Sequence, residues 1–293
     1  MGVVLVLIDI LQKSPWNPII YKESVTFRGD FWRTGWNITR DHPLFGVGLD
    51  GYRENYRLYR DQLAADRNPA TMVDSAHNVF LDISSGGGFP LLIFYCALII
   101  LVIISIVRVI RREKEFNAPF AAVCGAWVAY QAQSIISINQ IGLAVWGWVL
   151  AGLIIGYEIN TRKEGNSSAV SKKSAERIAI VSGLIFGLII SLPLFLVDGQ
   201  FRSTVKAGDV IKIEKNLDQW PQNVIRMNLA AQIFIDGGFA DRALVISQKA
   251  VKLNPRNFEA WEKIYLNPES DENTKAQALA KMRELDPLNS NIK

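Results

Sequence analysis

The chain has 293 residues, of which 49% are hydrophobic and 20% charged, with a net charge of +4 and a mean hydropathy of +0.14. That apolar content excludes intrinsic disorder, and the small, dispersed charge excludes a nucleic-acid binder. Cys96 and Cys124, the only cysteines, both lie in apolar stretches, which excludes a disulfide scaffold.

The hydropathy is too high for a typical soluble enzyme and too low for a chain that is all membrane, so a membrane part joined to soluble parts is expected. Residues 1–11 are apolar apart from Asp9. At 1.5 Å per residue they reach about 16 Å, half a bilayer. No basic region precedes them and no small-residue cleavage site follows, so a signal peptide is a poor fit. They read as the outer half of a spanning helix that begins upstream, and the chain as the C-terminal part of something larger.

Residues 12–88 form a long connector, of a length that is usually functional or a small domain, and hold both histidines, His42 and His77. Gly46-Val47-Gly48-Leu49-Asp50-Gly51 is formally G-x-G-x-x-G. A dinucleotide site needs a strand before the glycines and a βαβ unit around them. Arg40-Asp41-His42-Pro43 precedes instead, so the glycines read as permitting sharp turns. A helix is expected from Tyr52 to about Ala65, with Tyr52, Tyr56, Tyr59 and Leu63 on one stripe and Arg53, Arg57 and Arg60 on another. The arginines suit either a solvated face paired with Glu54 and Asp61 or a face turned to phosphate.

The string Asp74-Ser75-Ala76-His77-Asn78-Val79-Phe80-Leu81-Asp82 runs into Gly86-Gly87-Gly88. Its imidazole is suited to accept a proton near neutral pH, and Asp74, one turn earlier if the segment is helical, would orient it. Spacing alone favours a structural histidine bonding a backbone carbonyl.

Four uncharged runs follow, at 89–107, 118–138, 141–157 and 178–197, each near the roughly 20 residues that a bilayer requires. Pro193 is tolerable in a membrane helix. Two basic connections, with Arg108, Arg111, Arg112 and Lys114 in one and Arg162, Lys163, Lys172, Lys173 and Arg177 in the other, fall on one side if the runs alternate. The positive-inside rule makes that side cytoplasmic and leaves 12–88 and 198–293 outside. Trp127, Trp146 and Trp148 suit interface anchors or core packing equally. In the tail, Pro221, Pro255 and Pro287 stand 34 and 32 residues apart, and two similar helices, 242–251 and 275–285, end in Leu253-Asn254-Pro255 and Leu285-Asp286-Pro287. This echoes the tetratricopeptide pattern, against the alternative of a small bundle packed on its own membrane domain.

Three strings together resemble the O-antigen ligase and O-antigen polymerase superfamily of bacterial membrane glycosyltransferases. They are Arg28 with Trp32 four residues on, His42-Pro43-Leu44-Phe45-Gly46-Val47-Gly48, and His77-Asn78 followed after nine residues by Gly88. The resemblance covers 28–157. It implies a mainly α, polytopic membrane fold of the GT-C type, here N-terminally incomplete, with a C-terminal helical repeat domain. It also implies a glycan donor on undecaprenyl diphosphate, an acceptor hydroxyl attacking the anomeric carbon with inversion, and no metal or cofactor. Arg28 matches the family's essential arginine and His77 its base. Arg33, Arg40, Arg53, Asp74 and Asn78 are candidate substrate-binding residues, since guanidinium groups bond phosphate oxygens bidentately. Family members carry further spans before the outer loop, so the chain by itself is expected to be an incomplete enzyme.

The resulting expectation is an inner-membrane enzyme that transfers a lipid-linked glycan at the outer face to a glycan, lipid or protein acceptor. The tail would engage a protein partner, and no nucleic acid is involved. The rival is a non-enzymatic membrane scaffold whose outer tail docks partners of envelope polysaccharide assembly. A lipid-glycan transporter would want ionisable residues within the spans, and the four runs contain none.

Overall fold

The computed structural model describes residues 23–163 and 173–292, without side-chain detail for 23–26, 163 and 173–176. The segment 1–11 lies outside the described residues. Among those described there are helices and no strand. Contacts divide the chain into Met1–Ser168 with Asp286–Asn291, and Ala169–Leu285.

The first unit opens with α1 (Glu23–Asp41). The helix expected from Tyr52 to Ala65 is two short ones, α2 (Tyr52–Tyr59) and α3 (Gln62–Arg67). The break has a local cause. Arg60 turns extended, and the Asp61 carboxylate accepts the Ala64 N–H at 2.8 Å, capping α3 afresh. Tyr52 and Tyr56 join Phe31, Ile38, Val73 and Ala76 in a small core, while Leu63 is exposed.

Next comes α4 (Val79–Arg112), begun by Asn78, whose side chain accepts from the Phe80 and Leu81 N–H groups. At 34 residues it is about 51 Å long by its rise, and it is not one straight rod. Gly88 has φ 72 and ψ −177, so a short polar segment meets the apolar run at a kink.

The connector accounts for that kink. The Val47 N–H donates to the Ser85 carbonyl at 2.8 Å, the Gly48 N–H to Gly86 at 3.0 Å, and the Phe89 N–H to Pro43 at 2.7 Å. Backbone groups that the kink takes out of the helix ladder are thus recaptured by 43–48. Gly46 (φ 61) sits so close that a Cβ there would lie 2.4 Å from the Gly86 carbonyl carbon. The Gly-x-Gly string is a clasp on a helix kink.

Helices α5 (Ala118–Ser134) and α6 (Ile141–Lys163) pack with α4 around Val102, Val109, Phe120, Trp127 and Ile154. The second apolar run extends to residue 138, but its helix stops at Ser134, where polar side chains accumulate, and is 17 residues long. Trp127 is core, whereas Trp146 and Trp148 are exposed. At one end of this bundle Arg112 pairs with Glu158 and contacts Thr161, which puts the basic α4–α5 connection at that end.

The second unit begins with α7 (Lys173–Ala207), which runs through Pro193, and α8 (Val210–Leu217). Two helical hairpins follow, α9 (Val224–Asp236) with α10 (Ala240–Leu253), and α11 (Phe258–Leu266) with α12 (Glu272–Leu285). Their core holds Met227, Ala230, Ala231, Phe234, Ala243, Ile246, Ala250, Ile264 and Ala278. The small residues let neighbouring helices approach closely. Helices α4, α6 and α7 are long and apolar enough to cross a membrane.

Candidate functional site

A cavity of about 600 Å³ opens in the first unit where the polar start of α4 meets the connector and the α5–α6 turn. Its lining includes Tyr52, Arg53, Asp74, His77, Asp82 and Asn139. The cavity therefore lies at the bundle end opposite the Arg112–Glu158 pair, because α4 and α5 run from one end to the other between them.

His77 is positioned by its backbone. It has φ 54, a left-handed conformation uncommon for a residue with a side chain. The turn it belongs to is fixed on both sides. Its own N–H donates to Ser75 Oγ at 3.3 Å, Asn78 caps α4, and Asp82 Oδ1 accepts the Ala76 N–H at 2.6 Å. The ring stacks on Phe31 with centroids 5.4 Å apart. Since Phe31 lies one turn beyond Arg28 on α1, the same helix brings the Arg28 guanidinium to bear on the imidazole. Burial, and then the Arg28 charge, hold His77 below the ordinary imidazole value of 6.5, partly offset by Asp74. The shift favours the neutral ring, the form that accepts a proton. Arg28 makes no ion pair among the described residues.

The other residues singled out by sequence divide. Arg53 and Asp74 form an ion pair in the cavity wall, so Asp74 is not the hydrogen-bond partner of His77. The segment carrying both Asp74 and His77 is not helical. Arg33 is held by Asp30 and Asp61, at 2.7 Å from the latter. Arg40 is 64% exposed and pairs with its neighbour Asp41. Asn78 is buried as the α4 cap. Arg28, Arg33, Arg40 and Asn78 do not line the cavity. His42 bonds Tyr59 Oη at 2.8 Å through Nε2.

The arginine stripe of α2 divides between a buried pair and the cavity. Arg57 and Arg60 are 7% and 2% exposed and share one carboxylate, the fully buried Asp286, at 2.9 and 2.8 Å. Only Arg53 reaches the cavity. The sequence carries no local signal for Asp286, which is over 220 residues from its partners. Asp82 and Asn139 join the site without having been singled out by sequence. Asp82 has a local signature, as the residue four positions beyond a helix cap, facing back over the turn. Asn139 belongs to a turn that only the tertiary fold brings near.

The family model described as O-antigen ligase matches residues 21–96. No curated protein and no solved structure matches the chain. The matched segment contains Arg28, Arg53, His77 and Asp82, together with the clasp that bends α4. The match, with three helices apolar enough to span a bilayer, supports a membrane protein of the O-antigen ligase superfamily and glycan transfer of the ligase or polymerase kind.

Proposed function

We propose that the chain contributes the reaction centre for moving a glycan from undecaprenyl diphosphate to an acceptor hydroxyl at the outer face of the bacterial inner membrane. The acceptor oxygen attacks the anomeric carbon as the bond from that carbon to the diphosphate oxygen breaks. The hydroxyl proton passes to His77, and the diphosphate leaves with the added negative charge. Inversion follows from a single displacement. Arg28 and Arg53 supply fixed positive charge where the leaving group gains its negative charge.

One observation carries this reading. The His77 imidazole lines a cavity of about 600 Å³, and the Arg28 guanidinium, without an ion-pair partner among the described residues, bears on that ring from α1. The basic end of the bundle is opposite the cavity, which by the positive-inside rule favours an outer position for the cavity and the connector that lines it.

The test uses membranes carrying the full protein and a glycan linked to undecaprenyl diphosphate. His77→Ala should slow transfer by about 10²–10⁴-fold, the usual contribution of a positioned base. Arg28→Ala should slow it by about 10²–10³-fold. Unchanged transfer by both variants at normal expression would remove the reading. The paired helical hairpins of α9 to α12 favour a second role, tetratricopeptide-like docking of a protein partner. If both site variants kept full transfer, the scaffold account would stand in its place.

A further inference from the structure

We infer that Asp82 is a positioning residue for His77, acting through the backbone of the turn that presents the imidazole. The inference rests on the proposed role of His77 as proton acceptor.

A side chain in the left-handed region is not held there by its own preference. Strained conformations of this kind persist where surrounding contacts over-determine them, so something must fasten the turn of His77. On the N-terminal side of the histidine the strongest fastening is the 2.6 Å bond from the Ala76 N–H to Asp82 Oδ1. Asp82 itself is anchored, because its N–H donates to the Asn78 carbonyl at 2.9 Å in the first turn of α4. A helix that begins at Asn78 thus reaches back and grips the residue just before His77. Ala76 is fully buried beside Gly35 of α1, so the gripped point does not shift by itself. Without the Asp82 acceptor, the buried Ala76 N–H loses its partner and the turn relaxes toward right-handed geometry. That swings the imidazole off Phe31.

Asp82 also lines the cavity, and a carboxylate there has an obvious competing role as the proton acceptor itself. The two roles part at Asp82→Asn, which keeps an Oδ1 acceptor for Ala76 but not a basic carboxylate. We expect Asp82→Asn to retain transfer within a few-fold of the unaltered protein. Asp82→Ala should lower kcat on the order of 10²-fold, the effect of a reacting group displaced by about 1 Å, with KM nearly unchanged.

A second readout needs no transfer. Carbethoxylation of His77 by diethyl pyrocarbonate, quantified by peptide mass so that His42 is separated, reports how freely the ring moves. Asp82→Ala should raise that rate several-fold and Asp82→Asn should leave it unchanged. Because Asp82→Asn is isosteric, its two readouts decide the matter even if Asp82→Ala does not fold. Loss of transfer in Asp82→Asn with His77 reactivity unchanged would assign Asp82 the proton and overturn the positioning role. Unaltered His77 reactivity in Asp82→Ala would overturn it as well. Full transfer by His77→Ala would remove the proposed reaction while leaving the reactivity test of the grip intact.

Discussion

The kink in α4 invites a direct test, because a methyl group at Gly88 meets both conformational strain and the clasp. Its φ of 72 with ψ −177 lies in a region that is essentially glycine-only, so alanine there is strained by about 1–3 kcal/mol. A Cβ would also lie 2.5 Å from the Leu44 carbonyl carbon and 2.6 Å from the Pro43 oxygen. Those are backbone atoms of the clasp, so they move only if the clasp opens. Opening it forfeits the Phe89 N–H to Pro43 bond and strains the neighbouring two, at about 1 kcal/mol for each bond lost. Gly88→Ala should therefore destabilise by roughly 2–4 kcal/mol as these contributions add.

Two controls separate the causes. Gly48 also has positive φ (97), but a methyl group added there would meet nothing within 4 Å, so Gly48→Ala should cost about 1–2 kcal/mol from conformation alone. Gly125, inside α5 with open space around it, should tolerate alanine or gain about 0.5–1 kcal/mol. Chemical unfolding of the detergent-solubilised protein, followed by tryptophan fluorescence, gives the three differences. If Gly88→Ala were no worse than Gly48→Ala, the clasp would not be what holds the kink.

Two further outcomes follow from the charges. Because burial and Arg28 lower the His77 pKa, the ring stays neutral to lower pH than a free imidazole, and the acid limb of kcat/KM should have its midpoint below 6.5. NMR titration of His77 should show the same midpoint, moving up in Arg28→Ala as the neighbouring charge goes and down in Asp74→Asn as its offsetting influence goes; no movement in either would refute the electrostatic account. For the buried cluster, Asp286→Ala leaves Arg57 and Arg60 facing each other without their shared carboxylate. It should cost about 3–5 kcal/mol, whereas Arg40→Ala at the exposed Asp41 pair should cost less than about 1 kcal/mol, and equal losses in denaturant titration would contradict the burial argument.

Long periodic features are legible in the sequence, and features made by non-local contact are not. The apolar runs of α4, α6 and α7 stand out because a bilayer demands continuous apolar length. The helices of the tail stand out because the proline spacing and the Leu-Asn/Asp-Pro helix ends repeat. The end of α5 at Ser134 is foreshadowed by Gln131, Gln133 and Ser134, yet the uncharged run continues to residue 138, since an uncharged stretch is not the same as a helical one. Arg57 and Arg60 escape a local reading because a stripe of arginines next to acidic neighbours looks solvated. Their carboxylate comes from Asp286, and no local pattern encodes it. The glycine string lacks the strand that nucleotide binding requires, and that much is plain from its flanks. Its real partner, the backbone of Ser85 and Gly86, becomes apparent only with the kink.

On the proposed reaction, the two cations Arg28 and Arg53 differ in how they meet an anion. Arg53 already has a carboxylate, but Asp74 is 76% exposed and loses little by returning to water. A diphosphate can replace it, exchanging one exposed pair for a more highly charged one. Arg28 has no ion pair among the described residues, and its charge falls instead on His77. An anion that binds Arg28 cancels that influence, so the base grows stronger when the donor is in place and stays neutral when it is not. The acid limb of kcat, which reports the loaded enzyme, should then lie at higher pH than the limb of kcat/KM. Coincident limbs in the unaltered protein would mean that the diphosphate does not touch Arg28, and that guanidinium would be left with a purely structural part in holding α1.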